Sequence, residues 1–320
     1  PLAGPLVFSG GRCALIGHGL PASLLQARGG LVYRLLVISL GRYRLAALVD
    51  ATFALDGGAL FGIVPRPLWE KLLPPDGRNR VRLAARCLLA LDAAAGRRIL
   101  VDAGIGDKWD QKHIDIYQID RSHGGLDAGL ASLGLSRADI TDVILTHLHF
   151  DHAGGTTRRG QEGKLELTFP RATYHLQRRN WQWARAPSEK DAGSFLADDF
   201  SLLEHTGRLH LLEGEGELYP DLEIVVSEGH TVAQQLPRFH GDGTHLTFCG
   251  DVIPTRAHLR GSWVMAYDLF PLTTIEEKKM LLAEVLEDDG ILFFAHDPVL
   301  TACRLREEDG HPAMREVVAV

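Results

Sequence analysis

The chain has 320 residues, of which 45% are hydrophobic and 23% are charged, as in an ordinary globular protein. Its formal net charge of −7 argues against a nucleic-acid partner, because phosphate binding requires a basic surface. No apolar run approaches the roughly 20 residues of a membrane-spanning helix, so we expect no membrane partner. The cysteines Cys13, Cys87, Cys249 and Cys303 are scattered without a CxxC pair, which favours reduced thiols in a cytoplasmic protein.

In chain order, the first segment is residues 1–30, which is rich in glycine and proline and has no apolar period. We expect it to be a tail, so that residues 31–320 form the folded domain. Eight apolar runs then predict strands at residues 33–40, 87–93, 97–104, 141–148, 172–177, 222–229, 245–251 and 291–297.

Three segments between these runs have helical spacing of their apolar residues, at 124–135, 178–186 and 273–290. A threonine cap and early glutamates mark the start of the last one, and Gly290 marks its end. Hairpin turns are predicted at 157–166 and 240–245. Because strands come in series with helices between the series, the pattern predicts packed sheets with helices outside, not a doubly wound fold.

Seven potential metal ligands follow the carboxyl ends of four of these runs. The stretch THLHFDHAGG supplies His147, His149, Asp151 and His152, and the motifs GHT, CGD and HDP supply His230, Asp251 and His296. Strand ends at one sheet edge can converge on one point, and rigid strands support a metal site well. A surface role explains an isolated His-x-His, but it does not explain seven such residues together.

The spacing within THLHFDHAGG suits two cations. Alternate side chains of an extended segment share a face, so His147, His149 and Asp151 start on one side and His152 can point elsewhere. The glycine pair Gly154–Gly155 allows a tight turn or a close approach. Imidazole and carboxylate donors without thiolate suit zinc, with manganese or iron as alternatives.

The four motifs, in this order, resemble those of the metallo-β-lactamase superfamily over roughly Leu31 to the C-terminus. The resemblance implies an α+β fold, an αββα four-layer sandwich of two mixed sheets with helices outside and a dinuclear centre between the sheets. By position, His147, His149 and His230 would hold one metal ion, Asp151, His152 and His296 the other, and Asp251 would bridge both. The cofactors expected from this resemblance are two zinc ions per chain.

Details of the motifs indicate which branch of the superfamily the chain resembles. Many true β-lactamases have cysteine at the position of Asp251, and diiron flavoproteins have glutamate at the position of His149, so neither antibiotic cleavage nor redox chemistry is favoured. HLHFDHAGG resembles N-acyl homoserine lactone lactonases, and residues 53–89 resemble the N-terminal arm of larger lactonases and methyl parathion hydrolase. Two departures, Thr231-Val232-Ala233-Gln234 for the usual Thr-Pro-Gly-His and Pro254 for a tyrosine, affect no ligand.

The charge of such a centre favours neutral substrates. Two dications, two aspartates and a bridging hydroxide leave the site near +1, enough to hold an anionic intermediate, and a bound water's pKa falls toward about 7. Asp151 and Asp251 are therefore the predicted catalytic carboxylates, and Asp151 would act both as ligand and as proton shuttle.

Several other residues are candidates for the surroundings of the centre. Asp102 follows a strand, and either orients a metal-binding histidine or caps the turn at Gly104. Phe150, between the ligands, is expected to face the cavity, and Tyr267 would wall it or offer its phenol to an oxyanion. Phe61 and Trp69 of the arm are candidates for an acyl pocket, although such aromatics, like Trp263, more often belong to the core.

The sequence thus predicts a dinuclear zinc hydrolase of a neutral ester, foremost a lactone such as an acyl homoserine lactone, acting on small-molecule substrates. Alternatives are an organophosphate triester hydrolase, a thioesterase of the glyoxalase II kind and a metal-bearing effector without turnover. No cluster of lysine or arginine for an anionic thiol substrate stands out. The oligomeric state is left open, with a homodimer as one option.

Overall fold

The computed structural model describes residues 36–320. The predicted tail, residues 1–30, and Cys13 lie outside this range. The first sheet consists, in spatial order, of β1 (Val37–Leu40), β2 (Tyr43–Asp56), β3 (Arg80–Asp92), β4 (Arg97–Val101), β5 (Asp142–Ile144), β8 (Thr173–Gln177) and β9 (Leu209–Leu212). Its first four strands are antiparallel, and β4, β5, β8 and β9 run parallel.

The second sheet contains seven strands in sequence order. These are β10 (Gly216–Tyr219), β11 (Leu222–Ser227), β12 (Gln234–Gly241), β13 (Thr244–Phe248), β14 (Ile291–Phe293), β15 (Ala302–Glu308) and β16 (His311–Val318). Only the β13–β14 pair is parallel. A separate hairpin joins β6 (Thr157–Arg159) to β7 (Leu165–Leu167), at the turn predicted from the sequence.

One long helix and seven short ones complete the described region. They are α1 (Gly57–Phe61), α2 (Arg66–Trp69), α3 (Gln111–Tyr117), α4 (Gly125–Ser132), α5 (Phe150–Ala153), α6 (Arg178–Arg185), α7 (Ala197–Phe200) and α8 (Pro271–Glu287). Within residues 36–320, no helix has the length and apolar character needed to cross a membrane. Cys87, Cys249 and Cys303 are buried free thiols.

Three apolar layers hold the sandwich together. Between the sheets, side chains such as Leu45 and Leu88 meet Phe239 and Phe248, and the rings of Tyr43 and Phe239 pack edge to face at 5.1 Å. The outer face of the first sheet packs on α4 and α6, and that of the second sheet packs on α8. This is the four-layer αββα arrangement with two mixed sheets, as predicted.

Two of the differences between the predicted and observed elements have a clear physical cause. The strand β2, with 14 residues, was not predicted, because it is rich in alanine and a bulge between Val49 and Ala51 breaks its two-residue alternation. The last long helix begins at Pro271 rather than at a threonine cap. Its N-cap is Phe270, without a side-chain hydrogen bond, and Thr274 lies buried inside the helix. Proline suits the first helical turn, where its missing N–H is not needed.

Candidate metal centre

The segment that follows β5 is shaped by close backbone contacts. His149 is the extended N-cap of α5, so Asp151 and His152 lie in a helical turn rather than in a continued strand. A Cβ at Gly154 would lie 2.2 Å from the Ile105 carbonyl oxygen, and one at Gly155 would lie 2.0 Å from that of Ala103. These two positions therefore require glycine, because the turn packs directly on the backbone that follows β4.

The structure brings all seven predicted donors together in two buried groups. One group contains His147, His149, His230 and Asp251, the other contains Asp151, His152 and His296, and the ligand atoms within each group lie within 4.8 Å of one another.

The carboxylate of Asp251 faces both groups. Its Oδ2 lies 3.2 Å from His230 Nε2, while its Oδ1 lies 2.9 Å from His296 Nε2 and 3.3 Å from His152 Nε2. The superfamily resemblance implies a bridging carboxylate at this position.

Hydrogen bonds on the outer nitrogens fix the tautomers of three histidines. The Nδ1 atoms of His152, His296 and His230 lie 2.7 Å from Asp102 Oδ2, 2.8 Å from the Ala84 carbonyl and 2.9 Å from Asp268 Oδ1. These oxygens only accept, so each Nδ1 donates its proton to one of them and each Nε2 faces the centre.

The inward nitrogens fit a metal ion. His152 Nε2 and His296 Nε2 lie 2.9 Å apart, and two ring nitrogens approach so closely only when they share a proton or lie beside a metal ion. His147 Nε2 is buried and has no hydrogen-bond partner among the described residues, whereas its Nδ1 contacts the Thr146 hydroxyl at 3.0 Å. An orphaned imidazole nitrogen in a ring of imidazoles and carboxylates is what a metal ligand looks like without its ion.

The electrostatics of the centre favour a bound cation. Burial lowers the pKa values of His147 and His149 well below the usual range, which keeps both rings neutral and able to bind metal. Burial alone would raise the pKa of Asp251, but His296 and the other imidazoles outweigh it and hold that pKa well below its usual range. Asp251 is therefore a carboxylate in a buried site.

Asp102 accepts a hydrogen bond from His152, which is the kind of contact expected of a residue that orients a metal-binding histidine. Besides His152, its carboxylate accepts hydrogen bonds from the Thr146 amide at 2.7 Å and the Thr146 hydroxyl at 3.0 Å. Its φ of 60° is uncommon outside glycine and turns the chain sharply after β4.

Sequence reasoning missed one partner of comparable importance. Asp268 accepts from His230 Nδ1 with one oxygen and from the Met265 amide with the other, at 3.2 Å, and is fully buried. It lies in a loop without periodicity and 38 positions from its histidine. The only available signal was an aspartate in a largely apolar loop.

Both departures from the superfamily motifs support the centre through their own contacts. The side-chain oxygen of Gln234 accepts from the Asp251 amide at 3.0 Å, and the Pro254 carbonyl accepts from the His296 amide at 3.1 Å.

The two donor groups open into a cavity of about 220 Å³. Phe150 and Tyr267 line it, together with Tyr117 and apolar side chains of β2, β3 and the arm. A neighbouring chamber of about 470 Å³ shares Tyr117, Phe150 and Gly193 with this cavity. Phe150 thus stands between the two chambers.

The prediction that Phe61 and Trp69 line an acyl pocket is wrong, because neither side chain lies in the cavity wall. Both rings are almost fully buried, and Phe61 stacks on Trp69 at 4.8 Å and on His258 at 4.9 Å, with the edge of Trp263 at 5.8 Å. The arm folds its aromatics inward and leaves Leu55, Leu60 and Leu83 to face the cavity. Trp263 belongs to this core as well, which is its more ordinary role.

The comparisons with known proteins agree with this geometry. A family model described as the metallo-beta-lactamase superfamily matches residues 89–296, well over half of the chain. The chain belongs to the metallo-β-lactamase superfamily. Within it, a solved relative from Staphylococcus aureus, named as a probable metal-dependent hydrolase, is 29% identical and superposes with a TM-score of 0.78 over 88% of this chain and 100% of its own.

Two curated relatives in the superfamily are N-acyl homoserine lactonases named AttM. The protein of Agrobacterium fabrum is 32% identical over 195 residues, which cover 58% of this chain and 68% of the relative. The protein of Azorhizobium caulinodans is 31% identical over 129 residues, 38% of this chain and 44% of the relative. The chain thus spans less than half the length of the latter.

Proposed function

We propose that this metal-dependent hydrolase uses two metal ions, with zinc as the resident metal, to open lactones and related neutral esters. The observation that carries the proposal is the Asp251 carboxylate, which turns one oxygen to each donor group. His147, His149 and His230 would hold the first ion, and Asp151, His152 and His296 the second. Nitrogen and oxygen donors without thiolate suit zinc, and manganese or iron are the alternatives.

The chain's own groups supply orientation and proton transfer. When bound, the two ions would polarise a substrate carbonyl and provide nucleophilic water at neutral pH. The Asp151 carboxylate lines the cavity, where it can accept a proton from the attacking water and return it to the leaving alcohol. Burial and the nearby Asp151 raise the pKa values of Tyr117 and Tyr267, so both phenols stay protonated and can donate hydrogen bonds to substrate oxygens.

The cavity wall favours a neutral substrate. Among the described residues that line it, the charged groups outside the histidines are the carboxylates of Asp151 and Asp251, and no lysine or arginine faces it. In the second chamber, the charge of Lys108 is neutralised by Asp199 at 3.0 Å. A substrate with a carboxylate would therefore find no lysine or arginine to pair with in this cavity, which disfavours the glyoxalase II kind of thioester.

An apolar acyl chain of a substrate has room beyond Phe150. Ile105, Trp109, Phe195 and Leu196 line the larger chamber. Each CH₂ buried there would add about 0.8 kcal/mol to binding. An acyl homoserine lactone fits this description, and the similarity to the two AttM lactonases supports it.

Steady-state kinetics on matched substrates test the proposal. We expect kcat/KM on acyl homoserine lactones or simple γ- and δ-lactones to exceed that on a thioester of the same acyl group and on a β-lactam. It should rise with chain length until the chamber is filled, and phosphotriester hydrolysis should be slower. A phosphotriester preferred tenfold would replace the lactonase proposal by the triester hydrolase alternative. Absence of any turnover by fully metallated protein would favour the effector alternative.

The cytoplasmic location is also part of the proposal. It is supported by Cys87, Cys249 and Cys303, which are buried free thiols. Fractionation of the native host, with a periplasmic marker as control, would test this location.

A further inference from the structure

One buried amide outside the donor set links the two loops that carry the first donor group. Asn180 is the third residue of α6, which begins directly after β8. β8 lies beside β5 in the parallel part of the first sheet, yet contributes no donor of its own. The Asn180 side chain is fully buried.

Both ends of this amide are used. Its Oδ1 accepts from the Leu148 amide at 3.2 Å, and its Nδ2 donates to the Val232 carbonyl at 2.8 Å. Leu148 stands between His147 and His149, and Val232 lies two residues after His230. The planar side-chain amide of Asn180 therefore links the two loops that bear all three imidazoles of the first group.

We propose that Asn180 is a positioning residue that sets the distance between His149 and His230 in the first metal site. The atoms whose spacing it controls are His149 Nδ1 and His230 Nε2, now 3.1 Å apart. Asparagine is required because one contact needs an acceptor and the other needs a donor. An aspartate at this position keeps the first contact but sets a carboxylate against the Val232 carbonyl.

The second donor group does not depend on this amide. The outer nitrogens of His152 and His296 are held by Asp102 and by the Ala84 carbonyl, and Asn180 contacts neither. Loss of the Asn180 bridge should therefore act on one site and spare the other. This inference rests on the proposed two-metal function.

Metal titration of Asn180→Asp tests the inference without an activity assay. Zinc binding to metal-depleted full-length protein is followed by calorimetry, and Co²⁺ binding by its visible absorption. We expect one of the two equivalents to bind about 10–100-fold more weakly than in the wild type, the loss typical when a group that orients a ligand is removed. The other equivalent should bind unchanged. Asn79→Asp, the same chemical change at a side chain that bonds the exposed Asp56, is the matched control and should leave both equivalents unchanged.

The outcomes separate the positioning role from others. Two wild-type equivalents in folded Asn180→Asp, or equal weakening of both, would overturn the inference. Asn180→Ser, which is smaller and leaves room for water, is measured in parallel. If near-ultraviolet circular dichroism shows that neither variant folds, Asn180 is a general fold residue and the inference fails. Failure of the proposed function appears separately, as wild-type protein that binds metal but opens no lactone.

Discussion

At the scale of single residues, Asp102 shows how the outer contacts control the centre. It combines a positive φ with three accepted hydrogen bonds, two from Thr146 and one from His152. Such backbone conformations persist only where the surroundings fix them. The strain is consistent with a carboxylate that must reach one particular imidazole nitrogen.

Asp102→Asn should disturb the centre while keeping the shape of the side chain. In one orientation the amide NH₂ faces His152 Nδ1 and no longer holds the ring tautomer; in the other, the amide oxygen faces His152 and the NH₂ group opposes the Thr146 N–H. We expect a loss of about 10–100-fold in zinc affinity or in kcat/KM. Asp139→Asn, at the exposed carboxylate that caps Ser136, is the control. Equal zinc affinity and kcat/KM in the two variants would argue against an orienting role.

Lys278 gives a prediction of pH dependence. Its side chain is fully buried, its ammonium donates to the Trp263 carbonyl, and burial lowers its pKa from 10.5 to about 8 against the opposing effect of Asp268. Between those two values the unfolded chain binds the proton and the folded chain does not, so stability contributed at this residue rises with pH. Below about pH 8 the folded state carries the full cost of the buried charge.

The free energy of unfolding of Lys278→Met should therefore have a different pH profile. The free energy of unfolding of the variant minus that of the wild type should fall by about 2–3 kcal/mol between pH 7 and pH 10.5, because the wild-type lysine becomes neutral over that range. Urea unfolding at several pH values measures this difference. A difference that is constant over the range would show that Lys278 keeps its proton in the folded protein.

The role of a residue could be predicted only where that residue stands in a recognisable sequence pattern. The seven donors stand at the ends of apolar runs, and that placement alone indicates that they converge. Asp268 and Asn180 act through contacts 38 and 52 positions away and stand in no such pattern. Phe61 and Trp69 were placed wrongly because hydrophobicity does not distinguish a cavity wall from the core behind it.

At the scale of elements, the segment of residues 186–196 closes one side of the cavity. Ser194 lines the metal cavity, and the Phe195 ring packs edge to face on His149 at 4.7 Å. Lys190 attaches this segment to the opposite wall, since its ammonium donates to the carbonyls of Ala266, Tyr267 and Asp268 at 2.9, 3.1 and 2.6 Å.

Lys190→Met should loosen this wall without removing any donor. We expect KM for a long-chain lactone to rise about 3–10-fold with a smaller change in kcat, because the lost contacts position substrate rather than reacting atoms. Lys279→Met, at an exposed helix lysine paired with Glu276, is the control. A fall in kcat with KM unchanged would mean that Lys190 serves the chemistry itself.

Strand prediction succeeded where apolar runs end in a ligand or a turn, as in β4, β5 and β14. It failed for β2, where alanines and a bulge hide the alternation, and β9, β10, β12, β15 and β16 were also absent from the predicted set. These strands carry no donor, but β2 and β3 supply Leu55 and Leu83 to the cavity. The shape of the pocket therefore depended on the elements that the pattern showed least clearly.

At the scale of the whole molecule, strand ends from both sheets meet at one place. The predicted series of strands indicated packed sheets, whereas the four layers followed from the motif resemblance. The order of the strands could not be read from periodicity, because register depends on contacts between distant segments. In the structure, β11, β13 and β14 of one sheet and β5 of the other end close to the same seven side chains.

A chain that starts at Leu31 should keep its fold and its metal. Residues 36–320 contain both sheets, the outer helices and all seven donors, so we expect the centre to form without residues 1–30. Circular dichroism and zinc content of the shortened protein measure this. Loss of folded protein on removal of these residues would assign them to the domain.

In the proposed centre, the Asp251 carboxylate joins two metal sites. Elemental analysis of purified wild-type protein and of Asp251→Ala tests it most directly, with lactone hydrolysis measured on the same samples. We predict close to two equivalents, mainly zinc, in the wild type, and at most one equivalent in the variant, with nearly all activity lost. An Asp251→Ala protein that holds two equivalents and remains active would contradict it.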